Sequence, residues 1–339
     1  MIQSLPDEQR CAFPAHSLSS IRRACKQERI VYASPKKQIA LSSYDLDLRL
    51  RMCTDLIAQY RKHAEELRKN PLLRHPLIKR LSDMNVYTDE CMLREQQEEE
   101  AELMSPGRKT LFTPKVSQAG KRGLMVWAAI NKLEGLLCYH IYEVGESVNG
   151  VRYSKLIEKV YLPKAQEHYD RFKNLNCHVE YKRLIIVEDN CGAHYAHETE
   201  KVFEDNKEVL RGLAWRDAKA VEEINRCLQN NIATRLAFGW SPHSPDLNPI
   251  ELLWRWLRAK LIKIAASAPL SVRQTQIKML LESDECNTYC KALCNYFELM
   301  IAACVEKKGG MVPDSDLKEN WKKICREEGL FNKNDVDFS

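Results

Sequence analysis

Three carboxylates stand where chemistry could use them. Asp89 lies inside an alternating stretch at 84–93. Asp189 ends an apolar run, Arg183-Leu-Ile-Ile-Val-Glu-Asp-Asn190. Glu251 opens a helical pattern behind Ser241-Pro-His-Ser-Pro-Asp-Leu-Asn-Pro-Ile250. Two-metal phosphodiester chemistry needs oxygen ligands, usually Asp and Glu, around two ions about 3.5–4 Å apart. Such ligands work best on rigid elements, so strand ends and helix starts are favoured. Each residue also has a plainer explanation. Glu251 follows Asn248 by three residues, with Pro249 at the first helical position, which is an ordinary N-cap arrangement. Asp189-Asn190 suits a turn that ends a strand. Asp89 lies beside Glu90, and either one suits a surface charge.

The elements that must position these residues follow from apolar periodicity. Strands are expected at 84–93, 123–130, 139–144, 184–187 and 233–240. Helical patterns run over 17–28 and 45–69, the latter with Leu46, Leu50, Cys53, Leu56, Ile57 and Tyr60 on one face. Further helices are expected at 150–173 (stripe Tyr153, Leu156, Ile157, Val160), 195–206, 218–230, from Pro249 onward, and throughout 270–306. Trp254, Leu253, Leu257 and Leu261 read as core. Residues 95–102 are an acidic, low-complexity loop or hairpin tip, and the tail after Gly309-Gly310 is polar.

Composition narrows the class. The 339 residues are 44% hydrophobic and 29% charged, the balance of a chain that folds in water and buries a large core. No stretch approaches the roughly 18 apolar residues of a transmembrane helix, and the first residues do not form a signal peptide. Thirteen cysteines without such a signal imply reduced thiols in a cytosolic or nuclear setting. Cys286, Cys290 and Cys294 recur every four residues and mark a helix face. Cys191, His194 and His197 lack the fourth ligand and spacing of a zinc site. The net charge of +5 is uneven, with +8 in residues 1–80 and −3 in the remainder. That division fits a nucleic-acid arm ahead of a carboxylate-bearing catalytic body, or a chance clustering of charge on solvated helices.

Three motifs carry a family resemblance. Val86-Tyr-Thr-Asp89-Glu90, Ile186-Val-Glu-Asp189-Asn190-Cys-Gly-Ala-His194 and Ser244-Pro-Asp-Leu-Asn-Pro-Ile-Glu251-Leu-Leu-Trp254 resemble, in order, the three catalytic motifs of the Tc/mariner superfamily of DDE transposases. Met125-Val-Trp127-Ala and Val148-Asn-Gly-Val-Arg-Tyr153 resemble its intervening pieces. The resemblance covers about residues 84–265. It implies an α/β, ribonuclease H-like catalytic domain, a mixed central sheet flanked by helices. Asp89, Asp189 and Glu251 would be catalytic and metal-binding, with two Mg²⁺ ions (or Mn²⁺) as cofactors and Asn190 and His194 in support. The implied activity is cleavage of double-stranded DNA at transposon ends, then strand transfer to target DNA by the freed 3′-hydroxyl. A homodimer in the nucleus, with no membrane association, is the corresponding expectation.

Two departures from the pattern shape the rest. First, 61 residues separate Asp189 from Glu251, longer than the family's usual interval. Second, the region before Asp89 has room for only a remnant of the paired helix-turn-helix units. The expected organisation is a partial helix-turn-helix region at 1–44, a helical linker at 45–80, the catalytic domain with its helical extension at 81–310, and a polar tail at 311–339. Arg22, Arg23, Lys26, Lys36 and Lys37 are the candidate DNA contacts of the remnant, and contacts of this kind are strongly salt-dependent. The competing reading is a catalytically silent, transposase-derived DNA-binding protein.

Overall fold

The computed structural model describes residues 41–94, 123–213, 240–262, 270–313 and 317. The expected helix at 17–28, the basic residues Arg22, Arg23, Lys26, Lys36 and Lys37, the acidic run 95–102, and the segments 218–230 and 233–239 lie outside them. So does nearly all of the tail. Among the described residues, no helix is long and apolar enough to cross a membrane.

Four strands form the sheet: β1 (Asn85–Arg94), β2 (Gly123–Asn131), β3 (Gly135–Ile141) and β4 (Ile185–Val187). Their spatial order is β3-β2-β1-β4. The β1–β2 and β2–β3 pairs are antiparallel, and β4 joins β1 in parallel. Strand β1 is therefore central, and its side chains alternate between two cores. Tyr87, Cys91 and Leu93 face one side; Val86 faces the other.

Helices cover both faces. On the first lie α1 (Ser43–Lys69), α5 (Ile250–Ile262), α6 (Leu270–Leu281) and α7 (Asp284–Glu306). On the second lie α2 (Gly150–Leu156), α3 (Leu162–Phe172) and α4 (His197–Asp205). This is a mixed sheet flanked by helices, as expected.

Several details differ from the expectation. The third strand begins at Gly135 and not near 139. Gly135 has φ +81°, a backbone state that glycine enters freely, and it closes a tight hairpin after Asn131. The 150–173 helix contains one wider π turn at Ile157–Tyr161. The extra residue shifts the inward face, so Tyr161 is buried and Val160 only half-buried. The 270–306 stretch breaks at Ser283, whose hydroxyl accepts from the Cys286 N–H and caps α7.

Helix α1, expected as a linker, is built into the core through Leu48, Met52, Cys53 and Leu56. Its inward face is rotated from the apolar stripe because Arg49 is buried too, while Leu46 and Leu50 are only half-buried. Periodicity assigns a charged residue to solvent, and only its tertiary partners reverse that. Cys286, Cys290 and Cys294 do form a buried helix face.

Candidate active site

The site is assembled where β1, the end of β4 and the start of α5 meet. Asp89 projects from the middle of β1 toward α5, and its Oδ2 accepts a 2.9 Å hydrogen bond from Trp254 Nε1. Trp254 is thus core, as its spacing predicts, and also holds a carboxylate. Asp189 follows β4 by two residues, with a half-exposed side chain. Glu251 lies in the first turn of α5.

Buried hydrogen bonds fix the three elements to one another. Thr88 Oγ1 donates to the Val187 carbonyl at 3.0 Å, joining β1 to β4 just before their acids. Asn248 Nδ2 donates to the Thr88 carbonyl at 3.1 Å, joining the start of α5 to β1. Asn190 Nδ2 donates to the Trp240 carbonyl at 3.1 Å. The helix start is therefore anchored by Asn248, and Glu251 interacts through its charge with Asp189, Arg255 and Arg258. Asn248 Oδ1 also accepts from the Ile250 N–H at 3.5 Å, at the helix start.

Electrostatics show the acids in mutual range. Burial raises the Asp89 carboxyl well above the usual carboxylate range, and the charges of Glu251, Glu90 and Asp189 add to that, against the Trp254 hydrogen bond. Burial also raises Glu251; Arg258 and Arg255 oppose the shift, and Asp189 reinforces it. Arg258 reaches back to β1, where Nη2 donates to Cys91 Sγ at 2.8 Å.

His194 is buried between two acids. Its Nδ1 lies 2.9 Å from Asp189 Oδ1 and its Nε2 lies 3.3 Å from Glu90 Oε1. Burial disfavours the imidazolium, but Asp189, Glu90 and Glu188 outweigh it and raise the His194 pKa well above that of a free histidine. Asp189 is correspondingly lowered: burial pushes it up, and the bond and charge of His194 more than reverse this. The Cys191 N–H adds a 2.8 Å bond to Asp189 Oδ1. Tyr153 packs on the His194 ring at 4.3 Å between centroids and donates its hydroxyl to Glu188.

Asp89, Asp189, Glu251, Asn190 and His194 are thus brought to one locality. Sequence reasoning gave Thr88 and Glu188 no part in the site, and read Asn248 only as a cap, Glu90 as a surface charge and Tyr153 as core. The strand alternation that puts Asp89 on one face puts Glu90 on the other, and that was the available signal. The donor set is all oxygen, which suits a hard divalent cation such as Mg²⁺ or Mn²⁺. The side chains do not already form a cage: among the described residues, no group of three or more His, Cys, Asp or Glu is arranged to hold a metal ion.

A strand order of 3-2-1-4, with one acid on the central strand, one after its parallel neighbour and one on a following helix, is that of a ribonuclease H-like fold. Residues 85–270 match the family described as DDE superfamily endonuclease. The chain belongs to that family. Its fold is similar to a Mos1 mariner paired-end complex with Mn, at a TM-score of 0.56 and 15% identity, covering 88% of this chain and 72% of that one. It is also similar to the catalytic domain of Mos1 mariner transposase, at a TM-score of 0.51 and 16% identity, covering 81% and 98%. A third match is the Mos1 transposase catalytic domain with raltegravir and Mg, at 0.50 and 14%, covering 81% and 100%. No curated protein matches the sequence. The family match and the fold agree on a DDE superfamily endonuclease with a ribonuclease H-like fold.

Proposed function

We propose that the protein cleaves double-stranded DNA at transposon ends and joins the freed 3′-hydroxyl to target DNA, with Asp89, Asp189 and Glu251 holding two divalent ions. The observation that carries this is the meeting of three carboxylates from three rigid elements, each within range of another's charge. Bound there, Mg²⁺ or Mn²⁺ would supply an activated attacking oxygen and stabilisation of the leaving oxygen. The chain's own part is positional. Trp254 orients the Asp89 carboxylate, Asn248 and Thr88 set the spacing of the three elements, and His194 fixes Asp189 while screening its charge from Glu90. Asn190 holds the turn after Asp189 against Trp240.

The basic residues Arg22, Arg23, Lys26, Lys36 and Lys37 are proposed to contact DNA phosphates. Work on paired transposon ends is the basis for proposing a homodimer, and work on chromosomal DNA for proposing a nuclear location. The test is nicking of supercoiled duplex DNA in Mg²⁺ or Mn²⁺. The wild type is expected to nick only with the metal, and Asp189→Ala to lose activity about 100-fold or more. Unchanged nicking by Asp189→Ala would reject the assignment of the site.

One observation favours a second reading, a DNA-binding protein without turnover: Asp189 Oδ1 is already engaged by His194 and by the Cys191 N–H. Under that reading the wild type binds duplex DNA but does not nick it at any metal concentration.

A further inference from the structure

We infer that the buried ion pair between Arg49 and Asp246 is a positioning device for Glu251. The inference rests on the nuclease reading of Glu251 given above. Asp246 belongs to the Ser244-Pro-Asp-Leu-Asn-Pro249 stretch, five residues before Glu251, and nothing in the metal chemistry uses it. Its carboxylate is fully engaged elsewhere. Arg49 Nη1 donates to Oδ1 at 2.8 Å and Nη2 to Oδ2 at 2.7 Å, and the Val312 N–H donates to Oδ2 at 2.8 Å.

The same guanidinium also binds a second point on that loop and the segment after α7. Nε donates to the Gly309 carbonyl at 2.7 Å, Nη2 to the Gly310 carbonyl at 3.2 Å and Nη1 to the His243 carbonyl at 3.2 Å. Arg49 is completely buried. One side chain on α1 thereby fixes the loop that enters α5 and the segment that leaves α7. A planar, five-donor fork can meet these acceptors together, and an ammonium group cannot.

The geometry downstream is short and stiff. His243 adopts φ +52°, and Asp45, at the first turn of α1, lies 3.2 Å from its Nδ1. Pro245–Leu247 forms a single 3₁₀ turn. Asn248 then bonds to the Thr88 carbonyl beside Asp89, and α5 begins. Arg49 grips one end of this segment and β1 the other, so the position of Glu251 relative to Asp89 depends on both. A merely structural ion pair would contribute stability without this dependence.

The experiment compares wild type, Arg49→Lys, the double variant Arg49→Met with Asp246→Leu, and Phe172→Leu. The last thins the packing of α3 on the opposite sheet face. The double variant removes both charges, leaves neither one buried alone, and so keeps the test open if Arg49→Lys does not fold. Hydrogen exchange of the metal-free full chain should accelerate about tenfold or more in 243–254 and 309–312, with β2 and α3 unchanged in Arg49→Lys. Single-turnover, Mn²⁺-dependent nicking should fall about tenfold or more, because small misplacements of a reacting group are costly. The Mn²⁺ concentration for half-maximal rate should rise, while DNA affinity in Ca²⁺ stays within about twofold of wild type.

The inference is overturned if exchange at 248–254 is unchanged. It is also overturned if Phe172→Leu, at an equal loss of Tm, loses as much nicking as Arg49→Lys. If the wild type itself does not nick, the nuclease reading fails, and the exchange data still decide whether Arg49 fixes the start of α5.

Discussion

Burial and the charges of Glu251, Glu90 and Asp189 disfavour the ionised Asp89 carboxylate in the metal-free protein. Asp89→Asn keeps an acceptor for Trp254 Nε1 and removes that repulsion. It should raise the Tm of the metal-free protein by about 2–4 °C and abolish Mn²⁺-dependent nicking. Scanning fluorimetry beside a plasmid assay reads both, and a lowered Tm would contradict the electrostatic account. Trp254→Phe tests the same carboxylate from its partner. Losing the indole N–H should cost about 1.5–3 kcal/mol in urea unfolding, the range for hydrogen bonds to charged groups. At this scale the sequence was most legible. A carboxylate's neighbours in sequence disclose its element, and the element discloses its direction. The tryptophan's second role was not legible, since an indole N–H and its acceptor 165 positions away meet only in the fold.

Single contacts between elements set the geometry of the site. Asn248→Ala leaves the Thr88 carbonyl unpaired in a buried place and should cost about 1–3 kcal/mol, measured by denaturant unfolding; an unchanged midpoint would show that the α5–β1 tie is idle. The far side of the sheet responds to acid instead. Burial lowers His168 to about 4, against the pull of its bond to the Tyr181 carbonyl. His168 folds neutral, so its contribution is complete above about pH 6.5 and is lost as pH falls toward 4. For His168 alone that is about 3 kcal/mol as an order of magnitude. His168→Gln should flatten this limb of the Tm–pH curve, and an identical limb would refute the assignment. Strand and helix positions were readable from period, because β2, β4 and α5 carry clear apolar patterns, while β1 alternates only weakly and the stripe of α1 was rotated from its buried face. The π turn and the hairpin at Gly135 were not, since one inserted residue or one positive φ leaves no periodic trace.

For the whole molecule, a mixed sheet flanked by helices follows once the family resemblance is admitted, but the strand order does not. Apolar period alone does not determine which strand lies beside which. The role of α1 was the least legible feature. Its place between a basic arm and the catalytic body suggested a linker, whereas Arg49, Leu48, Met52 and Leu56 are buried in the core beside the entrance to α5. The central claim is that this frame exists to bring three carboxylates to divalent ions beside DNA. Manganese titration followed by electron paramagnetic resonance tests it most directly, on the full chain and on Asp89→Asn, Asp189→Asn and Glu251→Gln. The account predicts that the wild type binds about two Mn²⁺ ions, as two-metal chemistry requires, and that each substitution removes or sharply weakens at least one. Unchanged Mn²⁺ binding across all three variants would contradict it.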